Sequence, residues 1–143
     1  MKLKQLSVFL ENRAGRLAEV TRTLAQASVN IRALSLADTS DFGILRLLVD
    51  KTDTAIEALT KTGLTVRGTD VVAVEVQDRP GGLADVLVLL RSEGINVEYM
   101  YAFLERYKNN AILVFRFEDP EKAIQALARA GIKVFSAEEI ARL

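Results

Sequence analysis

The chain has 143 residues, half of them apolar, and its 19 Lys and Arg residues balance 19 Asp and Glu residues. This length suits one or two domains with a core of ordinary size, and the balanced charge lacks the basic footprint of a nucleic-acid-binding protein. Because the chain has neither Cys nor His, disulfides, thiol chemistry, zinc sites and histidine acid–base catalysis are excluded. The sequence therefore predicts no metal and no cofactor.

The N-terminal residues do not read as a targeting segment. The apolar run before Glu11 is too short for a signal peptide, and no stretch approaches the roughly 20 apolar residues of a membrane-spanning helix. We therefore expect a cytoplasmic protein that does not bind a membrane.

The first half of the chain predicts six elements. Leu6, Val8 and Leu10 occupy alternate positions, which is typical of a half-buried strand. A turn at residues 12–15 leads into a helix whose apolar residues recur at helical spacing. Strands at residues 31–37 and 44–49, a helix that ends at Gly63, and a short strand near residues 64–66 complete the series.

The second half predicts the same elements in the same order. A strand at residues 72–76 and a turn at 78–82 precede a helix, and strands follow at residues 97–104 and 112–117. A helix that ends at Gly131 and a short strand at residues 132–135 close the series. Ser136 and Glu139 have the spacing of a capping box for a short terminal helix at residues 137–143.

The two halves are copies of each other. Within residues 11–34, seven residues recur identically 66 positions later: Arg13, Gly15, Leu17, Ala18, Val20, Leu24 and Asn30 return as Arg79, Gly81, Leu83, Ala84, Val86, Leu90 and Asn96. In the second helices the offset grows to 68, so two residues are added before the third strand of copy two. A repeat of this length is a whole small domain.

Each copy has the order β-α-β-β-α-β, which is the ferredoxin-like arrangement of an antiparallel sheet with two helices on one face. We predict an α+β fold with one domain at residues 1–68 and a second at 69–143, the second ending in the short helix. The join at residues 67–70 is so short that the domains are expected to pack against each other.

The two strand-to-helix turns are candidates for binding a small carboxylate. A helix N-terminus exposes backbone N–H groups and the positive end of the helix dipole, and Gly permits close approach to the backbone. The turns span residues 12–17 and 78–83, where Asn or Asp suits a turn or an N-cap. Asn30 and Asn96 open the second strands, and their amides could reach across a domain boundary.

These residues resemble those of the ACT domain, an amino-acid-sensing regulatory module. The second copy has Asp78, Pro80, Gly81 and Leu83 followed by Asn96 and Val97; in the first copy Ala14 replaces the usual Pro. The resemblance implies domains side by side with a shared antiparallel sheet. It also implies two sites at their interface: Asn12, Ala14, Gly15 and Leu17 with Asn96, and Asp78, Pro80, Gly81 and Leu83 with Asn30.

From this resemblance we predict a non-enzymatic regulatory or sensor protein that binds an amino acid or related carboxylate between its two domains. Because both repeats use up the chain, we expect that its output passes to a separate partner, for which a metabolic enzyme is one candidate, or that the protein is a free-standing sensor. The alternative is a module that binds another protein without any small ligand. The sequence does not specify which amino acid would bind.

Other features have structural alternatives. The Gly turns are also explained as turns alone, and Arg13 and Arg79 are interpreted as surface charges. Tyr99, Tyr101 and Phe103 would suit RNA stacking, but the first copy has small residues there and the chain is neutral, so interface packing is favoured. The loop predicted at residues 35–43 is a candidate cover for a site.

A homodimer is predicted from the sheet face turned away from the helices. The fold leaves that face uncovered, and large apolar patches mark interaction surfaces. Its residues are Phe9, Ala33, Val71, Ala73, Ile112 and Val114.

Overall fold

The computed structural model describes residues 1–38 and 41–143. Contacts divide the chain into two compact units. The first unit is Lys4–Thr69, and the second unit is Asp70–Leu143 together with Met1–Leu3. Each unit has a hydrophobic core of its own.

The first unit contains three strands, two helices and the beginning of a fourth strand. They are β1 (Leu3–Glu11), α1 (Arg16–Gln26), β2 (Ile31–Asp38), β3 (Phe42–Val49), α2 (Thr52–Lys61) and the start of β4 (Thr65–Val76). The strand order is β2-β3-β1-β4, and both β1 and β2 pair antiparallel with β3.

Alternation along β1 produces the core of the first unit. Val8 lies opposite Leu45 of β3, and both side chains are fully buried. The apolar stripe of α1 adds Val20 and Leu24, and α2 adds Leu59. Burying a side chain of this size stabilises the fold by about 1.5–3 kcal/mol, so the predicted apolar faces hold this unit together.

The second unit repeats the arrangement. It contains the rest of β4, then α3 (Gly82–Ser92), β5 (Val97–Ala102), β6 (Ala111–Phe117), α4 (Pro120–Arg129) and α5 (Ala137–Ala141). The strand order is β4-β6-β5, and both pairings are antiparallel. The α+β, two-unit ferredoxin-like architecture is thus as predicted. The capping box of Ser136 and Glu139 is also present.

Two predicted boundaries differ from the structure. Residues 67–70 are not a join between strands, because β4 runs unbroken from Thr65 to Val76. The predicted strand at residues 132–135 is reduced to a bridge between Val134 and Val74. Two backbone hydrogen bonds flank it, from Glu75 N–H to the Lys133 carbonyl (3.0 Å) and from Phe135 N–H to the Ala73 carbonyl (2.9 Å).

The predicted loop at residues 35–43 is mostly strand. β2 continues to Asp38 and β3 begins at Phe42, with Ala37 opposite Ile44. Of the three remaining residues of the predicted loop, Asp41 forms a bend before β3, and residues 39–40 lie outside the described residues. The fifth strand ends at Ala102, two residues before the predicted end.

The prediction of an uncovered apolar sheet face is wrong. Of its six residues only Phe9 is exposed, at 38%, whereas Ala33, Val71, Ala73, Ile112 and Val114 are buried. In the second unit Phe135 donates its N–H to the Ala73 carbonyl beside the bridge of Val134 and Val74, and its side chain is fully buried as well. This face therefore gives no support for a homodimer.

Candidate functional site

Each strand-to-helix turn ends on a glycine in the left-handed region. Gly15 (φ 88°) precedes α1 and Gly81 (φ 85°) precedes α3, and neither helix start has a side-chain cap. Of the two roles predicted for Asn12 and Asp78, a place in the turn is observed, and neither side chain caps the helix. Instead, Asn12 donates its backbone N–H to the Asp41 carbonyl (2.9 Å), and the Asp78 carboxylate pairs with Arg106.

An arginine ties the end of the first strand to the first turn of the helix in both units. In the second unit Arg79 donates from Nε to Gln77 Oε1 (2.6 Å) and from Nη2 to Asp85 Oδ2 (2.5 Å). Its Nη1 donates to the Pro80 carbonyl (3.0 Å), so all three guanidinium nitrogens of Arg79 have acceptors. The prediction that Arg79 is a paired surface charge is confirmed.

In the first unit a different arginine makes the matching contacts. Arg16 reaches Glu11 (3.4 Å) and Glu19 (3.0 Å), which stand 66 positions before Gln77 and Asp85. Arg13, the repeat equivalent of Arg79, pairs with Glu11 at 3.5 Å, and no ion pair to the first turn of α1 is seen for it among the described residues. The two turns thus share their acceptor positions but draw the arginine from different places in the chain.

The exchange follows from Gly82, which occupies the repeat position of Arg16. A Cβ at Gly82 would overlap the backbone carbonyl of Gln77. The second turn therefore closes too tightly for any side chain at that position. Its arginine must come from within the turn instead.

A cleft of 380 Å³ lies beside the turn of the second unit. The end of the strand, the start of α3, the start of β6 and the segment after α4 all contribute to it. Its lining residues are Glu75, Gln77, Arg79, Gly82, Asp85, Val86, Asn110, Ala130, Gly131, Ile132 and Lys133.

The first unit has a cleft of 320 Å³ in the corresponding place. Its lining residues are Phe9, Leu10, Glu11, Arg16, Phe42, Thr62, Gly63, Leu64 and Thr65. Seven of these match lining residues of the second cleft under the repeat offsets of 66 and 68, and an eighth, Phe42, matches Asn110. The two clefts are therefore duplicates in position.

The walls of the two clefts differ in chemistry. Phe42 is 62% exposed in the first cleft, and the guanidinium of Arg67 lies 5.7 Å from the ring centroid of Phe9. At the same positions of the second cleft, Asn110 Nδ2 donates to Glu75 Oε1 (2.8 Å). An aromatic pair is thus replaced by a hydrogen-bonded polar pair.

Lys133 places a cation at the edge of the second cleft. Its Nζ donates to Glu139 Oε1 (3.0 Å) and lies over the rings of Phe135 (5.1 Å) and Tyr107 (5.7 Å). The hydrogen bond to Glu139 raises the pKa of Lys133. The same bond, together with the backbone N–H of Ser136, lowers the pKa of Glu139.

Metal binding has no support within residues 1–38 and 41–143, where the acidic side chains form no cluster that could hold an ion. Nor does any helix in that part of the chain have the length and apolar character needed to cross a bilayer.

A sequence model of paired ACT domains matches residues 1–143, the whole chain. This chain belongs to the ACT domain pair family.

Solved structures agree with this assignment of the ACT domain pair. Protein BT0572 from Bacteroides thetaiotaomicron is 42% identical, with a TM-score of 0.93, over 100% of this chain and 98% of that one. The ligand-free regulatory subunit of aspartate kinase from Thermus thermophilus is 19% identical, with a TM-score of 0.65, over 89% and 91% of the two chains. The second likeness shows the fold alone. A comparison of the sequence with curated proteins found no match.

The ACT domain pair places the predicted turn residues next to the clefts rather than in their walls. The predicted residues of both turns (Asn12, Ala14, Gly15 and Leu17; Asp78, Pro80, Gly81 and Leu83) do not line the clefts, whereas their neighbours Glu11, Arg16, Gln77, Arg79 and Gly82 do. The segments after the second helices, which were not among the predicted site residues, also stand in the cleft walls. The glycines that recur at 63 and 131 were a usable signal, because both stand in cleft walls.

The predicted asparagines lie at the other end of each unit. Asn30 receives a backbone hydrogen bond from Asp50 N–H (3.1 Å) and donates its own N–H to Asp50 Oδ1 (2.9 Å). It follows the C-terminal end of α1, whereas Gly15 precedes the start, and the 11 residues of that helix span about 16 Å. Asn96 has the same place after α3. A single unit therefore does not bring its own turn and asparagine to one small ligand.

The three aromatics of the second copy are partly or fully covered. The rings of Tyr99 and Tyr101 stack with centroids 6.5 Å apart, and Phe103 is buried. Side chains packed in this way are not splayed for base stacking.

Proposed function

We propose that this ACT domain pair is a regulatory protein, without catalytic activity, that binds an amino acid or similar small carboxylate beside its glycine turns. The observation that carries the proposal is the duplicated cleft, which recurs beside both turns at matching repeat positions. Volumes of 320 and 380 Å³ lie in the range of small-molecule sites. Membership of the ACT family supports the same function.

The ligand's carboxylate is proposed to meet the backbone N–H groups at the start of α1 or α3, where the helix dipole favours negative charge. The asparagine that completes each site is proposed to come from the opposite repeat, Asn96 for the turn at Gly15 and Asn30 for the turn at Gly81. This pairing rests on the family resemblance.

A catalytic role is not proposed, because the ionisable groups of the second cleft are tied to each other. Asp85 is bonded to Arg79, and Glu75 accepts from Asn110. A catalyst without His or Cys would instead need a Lys or carboxylate with a strongly shifted pKa facing open space. When the protein is incubated with each amino acid in turn, we expect the amino acid to remain unchanged, and chromatography of the mixture would verify this.

A thermal-shift screen of the twenty amino acids tests the binding proposal, because a ligand that binds the folded state raises its melting temperature. We expect at least one amino acid to raise it. If none does at millimolar concentration, the proposed function is wrong.

Variants at the asparagines then test the assignment of residues. Asn30→Ala and Asn96→Ala are preferable to changes at Gly15 or Gly81, whose positive φ angles would strain any side chain with or without a ligand. We expect each variant to weaken one site by about 1–3 kcal/mol in calorimetry. Binding that equals the parent's in both variants would remove the asparagines from the sites.

The alternative function, protein binding without a small ligand, has one structural observation in its favour. Leu34 and Leu36 are 38% and 51% exposed on β2, the edge strand of the first unit. We propose that the output passes to a separate metabolic enzyme in the cytoplasm.

We also propose that the protein is a homodimer. Light scattering should then give twice the 15.8 kDa of one chain. A monomer at micromolar concentration would contradict the dimer.

A further inference from the structure

We infer that the two clefts bind amino acids of different side-chain class: the first an apolar side chain, and the second a polar, hydrogen-bonding one. This inference rests on the proposed function and adds to it the class of ligand at each cleft.

The two clefts have different wall residues at two matched repeat positions. Phe9 and Phe42 of the first cleft stand where the second has Glu75 and Asn110. Because the two clefts occupy equivalent places in their units, their walls differ in side-chain chemistry but not in their location in the fold. Leu64 and its repeat equivalent Ile132 line the two clefts alike, and each is partly buried against the core of its unit, so the difference between the walls lies in the exchanged residues.

A ligand side chain loses free energy of binding when its polarity does not match that of the cleft wall. An apolar ligand side chain placed against Glu75 and Asn110 would cover their polar atoms without replacing the hydrogen bonds to water. A polar ligand side chain placed between Phe9 and Phe42 would lose its own hydrogen bonds in the same way. Each wall therefore rejects the ligand class that the other accepts.

The ionic groups of the second cleft determine which of its atoms remain able to bind a polar ligand. The cations and anions in the second cleft are matched: Arg79 is bonded to Asp85, and Lys133 to Glu139. Each nitrogen of Arg79 already has an acceptor, whereas an ammonium has three donors and Lys133 uses one of them on Glu139. The polar wall thus offers Lys133 as a donor, Asn110 as donor and acceptor, and Glu75 as an acceptor.

Swapped variants of the full chain test the inference. Phe9→Glu with Phe42→Asn gives the first cleft the wall of the second, and Glu75→Phe with Asn110→Phe does the reverse. If a double variant does not fold, the single changes Phe42→Asn and Asn110→Phe replace it. Phe42 is the first residue of β3, and Asn110 directly precedes β6. Circular dichroism checks folding, and the probes are the twenty free amino acids.

We expect the parent to respond to at least one apolar and one polar amino acid, which bind without competing in calorimetry. The first swap should weaken the apolar ligand by roughly tenfold or more and leave the polar one unchanged, and the second swap should do the opposite. Affinities within twofold of the parent for both ligands in both folded swaps would overturn the inference while leaving the proposed function standing. Competition between the two ligands for one site would also overturn it. A parent that binds no amino acid would overturn both.

Discussion

Position 82 has no room for a side chain, and this single residue shapes the second turn. A Cβ there would overlap the carbonyl oxygen of Gln77, which belongs to the backbone and cannot rotate away. We predict that Gly82→Ala lowers the free energy of unfolding by about 1–3 kcal/mol or more. Chemical denaturation would measure it.

Gly43→Ala is the matched control. A Cβ at Gly43 would meet Leu36 Cδ1 at 3.5 Å and the carbonyl oxygens of Ala37 and Leu10 at 3.8 and 3.9 Å, all ordinary contact distances, and Gly43 has no positive φ. If Gly82→Ala is no more destabilising than Gly43→Ala, the second turn is looser than described.

Glu139 makes the stability of the C-terminal segment depend on pH. Its pKa in the folded protein is lowered from 4.5, first by Lys133 and then by the Ser136 N–H. The folded state therefore binds the proton more weakly than the unfolded state, so the stabilisation is fully present above pH 4.5 and is lost as pH falls through the lowered pKa.

We predict that Glu139→Gln lowers the melting temperature at neutral pH and that the difference from the parent shrinks on acidification below pH 4.5. Scanning calorimetry over that range would measure it. Glu138→Gln changes the exposed neighbouring carboxylate and is the control. A parent and Glu139→Gln variant that differ equally at every pH would exclude a charge effect.

At the scale of elements, the arginine contacts order the turns more than they stabilise the fold. The side chains of Arg79 and Asp85 are 50% and 66% exposed, and Arg16, which is 26% exposed, pairs with carboxylates that are 54% and 65% exposed. Ion pairs open to solvent in this way contribute about 0–1 kcal/mol. We predict that Arg79→Gln speeds amide hydrogen exchange in residues 77–85, and that Arg16→Gln does so in residues 11–19, with little change in global stability.

Arg13→Gln is the matched control, because Arg13 is the repeat equivalent of Arg79 but its ion pair among the described residues is to Glu11 and not to the first turn of the helix. It should leave exchange in the first turn nearly unchanged. Equal effects of Arg13→Gln and Arg16→Gln on hydrogen exchange would show that Arg16 does not order the first turn more than Arg13 does. The identity of Arg13 and Arg79 in the repeat concealed this difference, since it depends on Gly82 three residues further on.

At the scale of the whole molecule, β4 is continuous where a linker was predicted. The division between units falls after Thr69, inside a strand that runs from Thr65 to Val76. We predict that four glycines inserted after Thr69 lower the melting temperature strongly, because they interrupt a strand rather than lengthen a loop. Insertion after Lys108, in the turn before β6, is the control and should be tolerated. Equal tolerance of both insertions would show that residues 67–70 behave as a linker.

The sequence by itself determined the repeat, the order of the elements and the two cores. Apolar periods of two and 3.6 residues specify strands and helices locally, and both copies carry the same periods. It also located the glycine turns, because Gly15 and Gly81 need a positive φ that few other residues adopt.

Only the tertiary structure decided which residues line the clefts and which sheet face is covered. Glu75, Asn110 and Lys133 are far apart in the chain and meet only because strand pairing and the turn after α4 bring them together. Ala73 and Phe135 are far apart in the chain, yet a backbone hydrogen bond joins them and both side chains are fully buried. Periodicity shows which side of a strand is apolar, but it does not show what the rest of the chain places against that side.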